Sequence, residues 1–355
     1  MILGPVQMDE QILEAGRMQV PYPRTAEFSE YFSKINKQLQ NLFCTSQPVL
    51  TVTGSGTAAM QMAVENLVGP ENFAVHFATG TFGKRWGEIL SQKKRNFLTK
   101  DIEFGCNVSV QAIKQVIEEN PCIDTIFVTY NETSSTALCD IQEISNYVRT
   151  TDKLLVVDAV SSLGAEPLMM DKWGVDVVLT GSQKFIGIAP GLAFISFSEK
   201  AIKRINSLSC DNYYFDAKKY LHEWERGQVP YTASLGVLNQ LKVQLDIFDD
   251  RGIETIRSEY RERTDYLRNN IKNLGFSPVA SQMGNCTSAF YVPDDIDAYK
   301  LSVLLRRKYG ISIGAPYPGG NSIRIGNFGA IYEKEIDYCT SSIIKCLEEL
   351  RMNNV

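Results

Sequence analysis

Apolar and polar positions in this chain recur on two different scales. Residues 73–78 (Phe-Ala-Val-His-Phe-Ala), 124–129 (Asp-Thr-Ile-Phe-Val-Thr), 153–158 (Lys-Leu-Leu-Val-Val-Asp) and 175–180 (Val-Asp-Val-Val-Leu-Thr) are short runs rich in strand formers. Segments long enough for helices separate them, near 57–68, 83–93, 108–119 and 140–150. Strictly alternating strands would mean a half-exposed sheet, whereas near-continuous apolar runs spaced by helices predict a largely parallel sheet covered on both faces. The run Gly-Leu-Ala-Phe-Ile-Ser-Phe at 191–197 adds a further strand, read as antiparallel.

Past about residue 233 the pattern changes. Residues 235–248 and 253–274 read as long amphipathic helices, the second with Arg/Glu-rich solvated faces. A strand at 288–292, a helix at 296–308, strands near 311–314 and 322–326 and a terminal helix at 331–351 follow. The succession predicts an α/β fold in two parts: a large, mostly parallel domain over 1–250 and a smaller C-terminal α/β domain over 251–355. No internal repeat, low-complexity tract or disordered linker interrupts the chain, so the two parts are expected to pack closely.

Composition narrows the function classes. The 355 residues are 44% hydrophobic and 22% charged, with a formal net charge of −5. That balance is ordinary for a globular protein and provides no basic footprint for nucleic acid or anionic membrane. No apolar run reaches the length of a membrane span, and the first residues lack the pattern of a secretory signal. A cytoplasmic enzyme is the expectation. The eight cysteines (44, 106, 122, 139, 210, 286, 339 and 346) form no CxxC pair and read as free thiols in a reducing compartment. With two histidines, His76 and His222, a histidine-rich zinc site or a serine–histidine triad has few candidates. His76 lies inside an apolar run and reads as a core residue.

Lysine chemistry is the stronger lead. Asp158 ends one apolar run, and Lys184 stands just past the next, in Thr-Gly-Ser-Gln-Lys-Phe. An amine that can condense with an aldehyde, beside a carboxylate that keeps a pyridine nitrogen protonated, is what pyridoxal 5′-phosphate requires. Asp158 could instead simply cap the following turn. A third element supports the cofactor: Thr53-Gly54-Ser55-Gly56-Thr57 leads into a helix-forming run, where glycines let the backbone approach an anion and free N–H groups await it. Such a loop can also be a plain cap. It lacks the Gly-Lys-Ser/Thr of a P-loop and the spacing of a dinucleotide fingerprint, so a nucleotide-binding protein has little support. Val160 and Phe82 are placed to press the two faces of a ring. Lys84 and Arg85 could attract an acidic group of a substrate or form a solvated helix start.

Taken together, these segments resemble the class V aminotransferases of pyridoxal-phosphate fold type I, the alanine–glyoxylate, serine–glyoxylate and 2-aminoethylphosphonate–pyruvate transaminase group. The resemblance runs in order through Gly4–Val6, Thr53–Thr57, Gly80–Arg85, Asn131–Ser134, Asp158–Gly164, Gly181–Lys184 with Pro190-Gly191, and Arg324–Gly326. It implies Lys184 as the cofactor-bearing lysine and Asp158 as the partner of the ring nitrogen. Ser55, Gly56, Thr57 and Gln183 would hold the phosphate, Thr133 would meet the ring hydroxyl, and Val160 and Phe82 would sandwich the ring. Arg324 would grip the substrate carboxylate, and the N-terminal segment 1–25 would lie near the active site. A homodimer follows by the same resemblance, with active sites at the interface and Thr232 reaching the neighbouring subunit's phosphate. The substrates would be a small amino donor and a 2-oxo acid, in a ping-pong reaction. Tyr130 stands where the group commonly has histidine, and Tyr22-Pro23-Arg24 where relatives often have His-Arg; these are positions expected to sort substrate side chains. Rival readings on the same fold are a cysteine desulfurase or lyase, for which Cys286 would be the nucleophile, and a non-catalytic binding protein.

Overall fold

The computed structural model describes residues 1–314 and 320–352. Its centre is a seven-stranded sheet built from β1 (Val49–Gly54), β2 (Phe73–Ala78), β3 (Asn96–Asp101), β4 (Thr125–Thr129), β5 (Leu154–Asp158), β6 (Val177–Gly181) and β7 (Gly191–Phe197), in the order β1-β7-β6-β5-β4-β2-β3. Strands β2 to β6 pair in parallel, and β7 runs antiparallel to both β6 and β1. Every residue of β4, β5 and β6 is buried. Their unbroken apolar character therefore records burial on two faces rather than one.

One face is covered by the helix Gly56–Leu67, whose Met60, Ala63, Val64 and Leu67 pack onto Val156, Leu179 and Ile195. The helix Ala26–Phe43 contributes to the core on the other side through Phe28, Phe32, Ile35, Leu39 and Phe43, residues recurring at helical spacing. Its start is fixed by Thr25, whose hydroxyl accepts the N–H of Phe28 at 3.2 Å. The long helices Leu235–Arg251 and Ile253–Lys272 are separated by Gly252, whose φ of 77° breaks the run.

A second, antiparallel sheet joins β8 (Ser277–Pro278), β9 (Thr287–Tyr291) and β10 (Ser322–Gly326) in the order β10-β9-β8. It shares a separate core with the helices Ile253–Lys272, Ala298–Tyr309 and Glu333–Met352, through Leu267, Ile271, Leu301, Leu305, Ile336 and Ile343. The strand expected near 311–314 is absent as a strand: only Gly314 pairs, in a single bridge to Arg324. The first eight residues run between the two sheets. Met1 carbonyl accepts the N–H of Gly326, Gln7 carbonyl accepts that of Ala330, and Gln7 bridges Gly329.

Candidate active site

Asp158 and Gly181 end β5 and β6, adjacent parallel strands, so the chain delivers the acid and the lysine-bearing turn to the same sheet edge. The turn is held by Ser182, whose hydroxyl donates to Ala189 carbonyl at 2.8 Å and whose N–H donates to Leu192 carbonyl at 3.0 Å. Lys184 is buried, with its ammonium on the carbonyl of Leu3 and 5.6 Å from the centroid of the Phe328 ring. Loss of water around it, then the positive charge of Arg324, lowers its pKa to about 8. Asp158 is only 4% exposed, and the N–H of Val160 donates to its Oδ1 at 2.9 Å. Burial lifts its pKa to about 6 against the pull of that hydrogen bond and of Arg85 and Lys184.

Gly4 closes the lysine pocket. Its φ is 111°, and a methyl group there would stand 3.0 Å from Lys184 Cδ and 3.1 Å from Gln183 carbonyl oxygen. A side chain is excluded by backbone conformation and by space together.

The anion end lies where β1 gives way to the helix Gly56–Leu67. Ser55 precedes that helix without its side chain capping it. Thr57 hydroxyl accepts from Arg85 Nη1 at 3.1 Å. A methyl group at Gly56 would lie 2.5 Å from Val160 Cγ2, so the loop and the residue after Asp158 touch. One at Gly181 would lie 2.8 Å from Gln183 Oε1 and 3.4 Å from the Gly56 nitrogen. That places the Gln183 amide beside the helix N-terminus, and its buried Oε1 has no hydrogen-bond partner among the described residues.

Arg324, on β10, donates from Nη1 to Thr133 carbonyl at 3.2 Å, carrying a charge from the small sheet to the loop after β4. Thr133 and Ser161 hydroxyls are 2.5 Å apart. Phe82 is half-buried, with the Arg85 guanidinium 4.6 Å from its ring centroid. Lys84, by contrast, is exposed.

Lys184, Asp158, Val160, Gln183, Ser55, Gly56 and Thr57 thus share one sheet edge, and Thr133 and Arg324 meet beside it. Thr232 does not join them within this chain. It is exposed, next to Tyr231, which stacks on Tyr214 at 4.8 Å; the Tyr214 hydroxyl reaches Thr53 carbonyl at 3.4 Å. Tyr130, at a position expected to sort substrate side chains, is 5% exposed, and its hydroxyl donates to Pro167 carbonyl at 2.8 Å. Arg24 binds the Val229 carbonyl at 3.0 Å and so anchors the loop leading to Thr232. His76 is a satisfied core residue, with Gly83 carbonyl at 3.0 Å and Thr99 hydroxyl at 2.8 Å. Two segments already marked in the sequence gain geometry here: Leu3 and Gly4, within the N-terminal segment expected near the active site, lie over Lys184, and Arg85 reaches both Thr57 and the Phe82 ring.

No group of acidic, histidine or cysteine residues among the described residues could hold a metal ion, and no helix among them is long and apolar enough to cross a membrane. The donor set does fit pyridoxal phosphate. It combines an amine of lowered pKa, a buried carboxylate with no ion-pair partner among the described residues, and an unsatisfied amide at a helix N-terminus. Fold and site together define a pyridoxal-phosphate enzyme of fold type I.

Comparison with known proteins carries this further. The family model "Aminotransferase class-V" matches residues 15–324. The chain belongs to that family and is a pyridoxal-phosphate-dependent transaminase. It is 33% identical to an uncharacterized aminotransferase of Methanocaldococcus jannaschii, over 99% of this chain and 92% of the relative. It is 28% identical to the serine–glyoxylate aminotransferase of Arabidopsis thaliana, over 98% of this chain and 89% of that one. The crystal structure of a subgroup IV aspartate aminotransferase from Thermus thermophilus matches with a TM-score of 0.90 and 25% identity, over 98% of this chain and 99% of that one.

Proposed function

We propose that this enzyme moves an amino group from a small donor, of the alanine, serine or 2-aminoethylphosphonate type, to glyoxylate or pyruvate in two successive half-reactions. The observation that carries the reading is the pair at the ends of β5 and β6: a lysine and an aspartate, both buried, with pKa values displaced toward neutrality. When bound, the cofactor supplies an aldehyde for Lys184 and an electron-withdrawing ring. The carboxylate of Asp158 holds the proton on the ring nitrogen. Ser55, Gly56, Thr57 and Gln183 bind the phosphate, Thr133 meets the ring hydroxyl, and Val160 and Phe82 press the ring faces. Arg324 would hold the substrate carboxylate through its planar fork and so orient the substrate in the site. Lys184 Nζ, freed from the aldehyde when the substrate amine replaces it, would take the proton from the substrate α-carbon and deliver it to the carbon that had carried the aldehyde.

The same reading divides the chain near residue 250 and makes it a homodimer, with Thr232 serving the neighbouring site. The exposure of Thr232 beside the Tyr213–Tyr214–Tyr231 aromatic group supports this assignment. A cytoplasmic setting accords with the eight free cysteines.

Relatives named serine–glyoxylate, alanine–glyoxylate and aspartate–glyoxylate aminotransferase support the acceptor. A desulfurase reading is disfavoured by Cys286, fully buried with its thiol pushed well above the usual range by desolvation, so no reactive thiolate is offered. The decisive experiment reduces the loaded enzyme with borohydride, maps the labelled peptide, and then titrates a panel of amino donors without acceptor. Label on Lys184 and loss of the visible band with alanine or serine are expected. Label elsewhere, or sulfide released from cysteine, would overturn the assignment.

A further inference from the structure

The loop after β4 holds a carboxylate that the roles above leave unused. Glu132 is 1% exposed. Its Oε2 accepts the N–H of Gly83 at 2.9 Å and that of Phe82 at 3.1 Å. Its Oε1 accepts the N–H of Ser134 at 3.0 Å and the Ser134 hydroxyl at 2.6 Å. Phe82 and Gly83 lie in the first turn of the helix Thr81–Gln92, whose first N–H groups have no partners within the helix and sit at its positive end. Ser134 follows Thr133. One carboxylate therefore binds the stacking aromatic and the loop of the ring-hydroxyl contact to each other.

Other groups make that junction rigid. His76 Nδ1 lies 3.0 Å from the Gly83 carbonyl, so the residue after Phe82 is held at both its N–H and its C=O. A methyl group at Gly80 would lie 2.2 Å from Ser134 Oγ and 2.6 Å from Glu132 Cδ, which shows how closely the two loops are pressed. Arg85 continues the connection, from the face of Phe82 to the hydroxyl of Thr57.

We propose that Glu132 is a positioning residue for transamination. It sets the plane of Phe82 relative to Thr133 and so fixes the orientation of the cofactor ring. The inference rests on the assignment of Phe82 and Thr133 to the ring made above. Glutamine at this position keeps the shape but turns one acceptor into an NH₂ group facing backbone N–H donors. A residue that merely stabilises the fold would change unfolding and leave ring orientation alone.

The test compares full-length wild type, Glu132→Gln, Phe82→Leu and the double variant. Pyridoxal phosphate affinity and the pH dependence of the visible absorbance of the loaded protein are measured for each. Each single variant is expected to weaken cofactor binding about tenfold, and the double variant to be little weaker than the worse single one, because both act through the same ring contact. The absorbance–pH curve of Glu132→Gln should move toward that of Phe82→Leu. Additive losses, or an unchanged affinity and curve in Glu132→Gln, would overturn the proposal. Should the glutamine variant fail to fold, Glu132→Asp keeps the charge with a shorter reach, and the same cycle is read from it. Wild type that binds no cofactor, or carries no label on Lys184, would remove the functional reading instead.

Discussion

Two buried carboxylates stand at neighbouring strand ends and are treated in opposite ways. Glu132, after β4, takes four close hydrogen bonds from backbone and hydroxyl donors. Asp158, ending β5, takes one from the N–H of Val160, and burial lifts its pKa to about 6. A saturated carboxylate is structural cement, since every lone pair is already committed. An under-satisfied one is a vacancy for a cation, and the protonated ring of the cofactor is the cation that fits. The contrast separates the groups that build the site from those that meet the ligand.

The sharpest way to break this comparison is Asp158→Asn. Without the ring's counter-ion, turnover should fall by about 10²-fold or more, read from a half-reaction with saturating donor. The cofactor-free protein should respond the other way and gain stability on the order of 2 kcal/mol at neutral pH, because a buried, poorly solvated charge is gone. The sign follows from linkage. The folded pKa of about 6 lies above the ordinary carboxylate value of 3.8, so the folded state holds more protons than the unfolded between these values. This group's stabilisation is full below about pH 4 and is lost as pH rises through about 6. Lys184 acts in the opposite window: folded near 8 against 10.5, it restores stability as pH rises between the two. Urea midpoints of the cofactor-free protein across these ranges check both slopes. An asparagine variant that is less stable and still active would end the distinction.

Arg324 tests the ligand-facing side with a smaller effect. Its guanidinium already reaches Thr133 carbonyl, and its charge bears on Lys184. Arg324→Ala should raise KM about 10–100-fold for both the amino donor and the 2-oxo acid, with a lesser change in kcat. Arg324→Lys should recover only part of this, because an ammonium lacks the planar fork that matches a carboxylate. Unchanged KM values for both substrates would remove Arg324 from the substrate.

How much of this was legible in the sequence follows from how far apart the cooperating residues lie. β4, β5 and β6 are buried throughout and read directly as apolar runs, and Asp158 and Lys184 followed from their ends. The edge strands were harder. β3 alternates with exposed positions, and β1 runs straight into the glycine loop, which masked it. The helix Ala26–Phe43 carried a clear periodic signal at Phe28, Phe32, Ile35 and Leu39, yet it lies outside the strand–helix alternation that guided the assignment. Glu132 had no assigned role, and Leu3 was placed near the site by resemblance alone, because their partners are distant in sequence. Glu132 meets Phe82 and Gly83 from about fifty residues away, and Leu3 meets Lys184 from 181. No local pattern encodes such contacts.

Tyr130 supplies the mildest test, at a motif position whose side chain is committed to the backbone. A residue just before the Asn131–Ser134 loop was expected to face substrate. Its phenol instead turns to the carbonyl of Pro167, and desolvation holds its ionisation far above the usual range. Tyr130→Phe keeps the ring and removes one hydrogen bond, leaving the Pro167 carbonyl short of a donor. The cost should be about 1 kcal/mol, seen as a fall in Tm of roughly 1–3 °C. The ratio of kcat/KM between alanine and serine should stay within about twofold of wild type. A larger swing would mean that the phenol reaches substrate during turnover, and that the boundary between building and binding residues lies further into the strand than Asp158 and Glu132 place it.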